Sequence, residues 1–139
     1  MAYTDTFILV ADDSTAATGM VPSTMRAKVP KHMYEYELLI NNPYKFNQDE
    51  LGFTVHVHYH AISAAELRAN RRALLHDFLS KGQPCLRTSP LTKRFGWGAH
   101  HNSSGKIALY SVDSEEYAQF ASGANGNVTL INAMRNNRK

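Results

Sequence analysis

Leu51-Gly52-Phe53-Thr54-Val55-His56-Val57-His58-Tyr59-His60 alternates with a period of two. Leu51, Phe53, Val55, Val57 and Tyr59 would share one face, and Gly52, Thr54 and the three histidines the other. Strict alternation predicts a strand with one side on the core and a more polar side outward. Such a strand suits an antiparallel sheet covered on one face.

Further elements extend outward from this stretch. Tyr3 to Ala11 reads as a first strand, with Phe7 and Leu9 opposed to Ile8 and Val10. Residues 12–31, broken by Gly19, Pro22 and Pro30, read as a long loop, either functional or mobile. Met33 to Asn42 is expected to be helical and to stop at Pro43. Asn47-Gln48-Asp49-Glu50 reads as a turn. Ser63 to Lys81 is the clearest helix, with Ser63 and Glu66 as a capping box and Gly82 as its stop. Residues 83–98 are punctuated by Pro84, Pro90, Gly96 and Gly98. Trp97–His101 and Lys106–Val112 read as a hairpin turned at Asn102-Ser103-Ser104-Gly105. Asp113 and Glu116 suggest a second capping box before a helix to Ser122. Residues 127–134 fit a strand, though a helix suits Leu130, Ile131 and Met134 as well. The basic tail, 135–139, is expected to fray. The expected whole is one α+β domain, a mostly antiparallel sheet with two or three helices packed on one face.

Composition bounds the rest. The 139 residues are 43% apolar, enough to bury a core and too many for a disordered chain. No apolar run approaches the roughly 20 residues of a membrane span. No signal-peptide pattern opens the chain, which points to the cytoplasm. A lone cysteine, Cys85, rules out an intrachain disulfide and a four-cysteine zinc site. Charge is uneven: residues 1–62 sum to about −3 and residues 63–139 to about +6. An anionic partner for the second half follows naturally, as does a plain solvated basic surface.

The stretch Lys81-Gly82-Gln83-Pro84-Cys85-Leu86-Arg87-Thr88-Ser89-Pro90-Leu91-Thr92-Lys93-Arg94-Phe95-Gly96-Trp97-Gly98-Ala99-His100 is distinctive, as is Gly105-Lys106-Ile107-Ala108-Leu109-Tyr110. With Tyr3 to Ile8, the Asn42-Pro43-Tyr44 corner and Ala133-Met134-Arg135, they resemble a family of small microbial proteins known only as a domain of unknown function. The resemblance spans nearly the whole chain and implies a single domain. It brings no activity, cofactor or catalytic residue.

Candidate sites therefore rest on chemistry alone. Arg87, Lys93, Arg94, Trp97 and His100 combine a guanidinium fork, further charge and a flat ring near two glycines, a pattern suited to a small anionic or phosphate-bearing ligand. The alternative is a structural loop whose aromatics plug the core. His56 and His58, about 6.6 Å apart on a strand, could share a metal ion given more ligands, such as His100, His101 or Asp49. Cys85 would be a nucleophile only beside a histidine or a cation. Arg68, Arg72 and His76 share a helix face, but no nucleic-acid motif is present and total charge is modest. Glu35 and Glu37, two apart on a helix, diverge. A binding module, a metal- or thiol-dependent enzyme and a homodimeric interaction protein all stay open.

Overall fold

The structure, a computed structural model, describes residues 3–137. Along the chain run β1 (Thr6–Leu9), α1 (Lys31–Asn41), α2 (Gln48–Tyr59), α3 (Ala64–Ser80), a 3-10 turn (Leu86–Thr88), α4 (Pro90–Lys93), β2 (Trp97–His101), β3 (Ile107–Ser111), α5 (Glu115–Ala121) and β4 (Thr129–Asn132). The strands form one sheet in the order β3-β2-β1-β4. β2 pairs antiparallel with both β1 and β3, while β4 lies parallel to β1. The sheet is thus mixed, and the domain is α+β. The hairpin turn forms where its sequence expects it. Asn102 Oδ1 accepts from the N–H groups of Ser104 and Lys106, and Gly105 takes a φ of +77°. Residues 127–134 resolve into the strand alternative.

The 51–60 stretch is not a strand. Leu51–Tyr59 lies within α2, His60 caps its end, and the supposed turn before it is the helix start with its cap. Asn47 Oδ1 accepts from the Glu50 N–H at 2.8 Å, and Glu50 Oε1 accepts from the Asn47 N–H at 2.9 Å. The alternation comes from burial on two sides. Leu51 and Val55, four apart, enter the main core. Phe53 lies about 200° round the helix from each and meets Phe78 of α3 edge-on, ring centres 5.8 Å apart. A helix wedged between two neighbours produces a period of two without being extended. Replacing Asn47 by Ala removes half the capping box and should cost about 1 kcal/mol. Thermal unfolding should show a drop of about 3–5 °C; an unchanged midpoint would mean the cap contributes nothing.

Two clusters pack on opposite sides of the sheet. On one side Ile8, Ala99, Ile107 and Leu109 meet Leu39 of α1, Leu51 and Val55 of α2, and Leu86 and Leu91 of the 86–93 segment. On the other, Phe7 packs with Tyr117 and Phe120 of α5. Phe7 stacks on Phe120 at 4.6 Å and 9°, and Tyr117 Oη accepts from the Val10 N–H. So helices cover both faces, not one: α5 alone takes the second. It is capped by Ser114, whose Oγ accepts from the Tyr117 N–H, rather than by Asp113. Asp113 instead accepts from Ser111 Oγ.

Three details complete the frame. Residues 12–30 contain no helix or strand, but they are tied to the sheet. Trp97 Nε1 donates to the Met20 carbonyl at 2.9 Å, and the Met20 N–H donates to the Phe95 carbonyl. The tail is pinned as far as it is described: the N–H groups of Asn136 and Asn137 donate to the Asp13 carboxylate. Its last residues, Arg138 and Lys139, fall outside the described residues. His101 is wholly buried against Tyr3, and neither ring nitrogen has a hydrogen-bond partner. Burial drives its pKa down to about 4, with the Ala99 backbone offsetting only part of the fall.

Candidate functional site

α1 begins after Pro30, and its two carboxylates do diverge as their spacing requires. Glu37 is exposed, whereas Glu35 turns inward. There it borders a partly open cavity of about 220 Å³ between α1, α2, the end of α3 and residues 81–84. The cavity's apolar wall is Val55, Phe78, Leu79 and Pro84, and its polar groups come from Lys31, Glu35, Gln48, Asp49, His56 and Lys81.

Glu35 is the centre of this site. Ser89 caps α4, its Oγ accepting from the Leu91 N–H, and the same hydroxyl donates to Glu35 Oε1 at 2.7 Å. Glu35 Oε2 has no hydrogen-bond partner among the described residues. Burial raises the carboxyl's pKa to about 7, outweighing the Ser89 hydrogen bond and the Lys31 charge that both pull it down. At neutral pH such a carboxyl is present in both protonation states, so it can give or take a proton. Across the cavity, Gln48 is the first residue of α2. Its Oε1 is shut off from solvent and has no hydrogen-bond partner. An unmet buried acceptor costs about 1–3 kcal/mol. His56 lies beside Phe78 at 5.1 Å and His60 at 4.6 Å. Burial, then the His60 and Lys31 charges, lower its pKa, so it is neutral at physiological pH.

The residues singled out from sequence are scattered. Arg87 Nε donates to the Asn132 carbonyl at 2.9 Å, which fixes the end of β4. Lys93 and Arg94 border a separate polar hollow of about 540 Å³ with Asp13, Asn136 and Asn137. The Asn136 and Asn137 backbone N–H groups hold the Asp13 carboxyl down at about 2, so a fixed negative charge sits in that hollow. Trp97 is buried in the main core. His100 lies on the other side of the sheet, under Phe120, with Tyr44 Oη 2.8 Å from its Nδ1. Trp97 and His100 are three apart on one strand, so they had to face opposite ways.

The pairing expected of His56 and His58 fails for the same kind of reason. On a helix they point about 200° apart, and His58 stacks on Tyr34 instead, at 5.7 Å. Among the described residues no group of three or more His, Cys, Asp and Glu is placed to hold a metal ion. Cys85 is half-buried, with Tyr3 Oη 3.9 Å from its sulfur. Arg68, Arg72 and His76 are exposed along α3. No described helix is long and apolar enough to cross a membrane.

The sequence signals for this site were present but weak. Glu35 is one of two carboxylates on an ordinary helix, and only the tertiary packing selects it. No curated protein and no solved structure matches the chain. One family model, described as a family of unknown function (DUF6157), matches residues 1–139.

Proposed function

The chain belongs to the DUF6157 family, whose description carries no activity, and from its own geometry we propose that it is a small-molecule binding module acting through the Glu35 cavity. The observation that supports this most is a carboxyl with only one oxygen hydrogen-bonded, bordering a partly open space with an apolar wall. Sites of this kind combine a hydrophobic lining with a few placed polar groups. At about 220 Å³ the space is smaller than the roughly 300–1,000 Å³ of drug-sized sites. The occupant is therefore a small metabolite with a compact apolar body. Its head carries an N–H or O–H donor, which meets Glu35 Oε2, while Lys31 and His56 flank the approach.

This reading favours a neutral head over the small anion suggested by Arg87, Lys93 and Arg94. Those three do not converge, and Asp13 opposes an anion beside Lys93 and Arg94. Thermal shift against a panel of small amides, alcohols and carboxylates, followed by calorimetry on the best compound, tests it. The expected result is a saturable stabilisation by one donor-bearing class, weakened at least tenfold in Leu79→Trp, which fills the cavity mouth. No stabilisation by any member of the panel, or equal stabilisation of Leu79→Trp, would remove the reading.

A further inference from the structure

A second surface lies outside the cavity, where the start of α1 meets the end of α2. Four cations gather there with flat rings between them. Lys28 Nζ sits 4.0 Å above the Tyr59 ring and Lys31 Nζ 5.1 Å from it. One residue before Tyr59, the exposed His58 stacks on Tyr34 at 16°. One residue after Lys31, His32 stacks on Phe95 at 5.3 Å and 23°. Arg26 and Arg94 lie close enough to His32 for their charges, after burial, to depress its pKa. Three groupings thus lie side by side at this corner: Lys28 and Lys31 with Tyr59, His58 with Tyr34, and His32 with Phe95, the last near Arg26 and Arg94. Arg26, Lys28, Lys31, His58 and Arg94 are exposed. None of the four Lys and Arg residues is in an ion pair among the described residues; the pairs found are Lys81–Asp77 and Lys106–Glu50, elsewhere.

We infer that this face binds single-stranded nucleic acid, the cations taking backbone phosphates and the rings taking bases. Cations that lack carboxylate partners retain their attraction for phosphate. Stacked and half-exposed rings offer platforms that any base can use, which is the usual basis of sequence-tolerant single-strand binding. Arg94 stands at the edge of the patch with an exposed fork, its attraction for phosphate reduced by Asp13, which borders the same hollow. A purely acidic protein partner would use the charges but have no need of the rings. The patch escapes a sequence reading because Arg26, Lys28 and Lys31 lie in the half of the chain with negative net charge, and Arg94 joins them only through the fold.

The test is fluorescence anisotropy of the full chain with a labelled oligothymidylate of about 12 nucleotides in about 50 mM salt. Binding is expected to weaken steeply with salt, log K falling with log salt at a slope of roughly −2 to −3 for three or four phosphate contacts. Lys28→Glu combined with Arg94→Glu should reduce affinity at least tenfold. Both positions are exposed and only the Lys28–Tyr59 contact is lost, so the unfolding temperature should fall by no more than about 5 °C. His58→Ala, also exposed, should weaken oligothymidylate by roughly fivefold through lost stacking and leave an abasic sugar-phosphate strand unaffected. Several results would overturn the inference: no binding at low salt, equal affinity for the abasic strand, or binding only to vesicles of acidic lipid or to an acidic peptide. Lys31 borders both surfaces, but Lys28, His58 and Arg94 do not line the cavity, so failure here leaves the Leu79→Trp result standing.

Discussion

In Glu35→Gln, unfolding free energy should match the native chain at pH 4.5 and exceed it by about 3 kcal/mol at pH 8. The direction follows from linkage. Glu35 titrates near 4.5 when unfolded and near 7 when folded. A carboxyl with a raised folded pKa favours folding while protonated, and that advantage is lost as pH rises through 7. Each pH unit of separation is worth ~1.4 kcal/mol. Gln keeps the shape and can still accept from Ser89 Oγ, so the slope should vanish without a packing penalty.

His101 works in the opposite sense. Its folded pKa of about 4 lies below the ordinary 6.5, so its neutral form favours folding and that stability is lost as pH falls through 4. His32, His56 and His100, also shifted down by burial, add to the acid-side loss. Between about pH 4.5 and 6.5 the Glu35 slope opposes the histidine slopes, and the native profile should rise less steeply than the histidines alone would make it. Relative to the native chain, His101→Phe should then show stability rising less with pH over this range, and Glu35→Gln should show it rising more. Guanidinium unfolding from pH 4 to 8.5 checks both, and parallel profiles for all three proteins would show that neither group is shifted as its burial implies.

Gly98→Ala should cost more than about 3 kcal/mol, the upper range for overpacking a filled core, and lower the unfolding temperature by at least about 10 °C. A Cβ at Gly98 would overlap the Phe7 ring and lie 2.7 Å from Tyr117 Cε2. Neither ring can retreat. Phe7 is held between Tyr117 at 5.1 Å and Phe120 at 4.6 Å, and Tyr117 is fixed through its bond from the Val10 N–H. Gly82→Ala is the control, because a Cβ there meets nothing within 4 Å. Phe7→Leu added to Gly98→Ala should recover part of the loss, since the two sites are in contact and need not add. If Gly98→Ala unfolds at the native temperature, the close approach of β2 to α5 is wrong.

How far the fold could be read depended on how many surfaces each element buries. β2 and β3 were legible because their turn chemistry is local: Asn102 and Gly105 make the bend by themselves. α3 was legible because it is exposed, so Ser63 could be read as its cap without interference from packing. α2 was misread because it is buried on two sides, so Leu51, Phe53 and Val55 mimic a pleat. Its Asn47 and Glu50 were the better signal, since a capping box needs no knowledge of neighbours. The 86–93 segment has too few residues to show a period at all. The site suffered more. Glu35 and Ser89 are 54 positions apart, and nothing in either local pattern marks them. Trp97 and His100 looked like partners only because sequence proximity hides which side of a strand each occupies.

The placement of β4 beside β1 has a consequence for synthesis. Thr6 pairs with Thr129, so the first strand made waits for nearly the last. α1, α2 and α3 can gather on their own as they leave the ribosome, being close in sequence. Until residues 129–132 emerge, one side of β1 lies bare beside the greasy surface of Phe7 and Ile8, an invitation to mispairing. A stop codon placed just after α5 should therefore yield a product that clumps during translation, even though it keeps most of its helices.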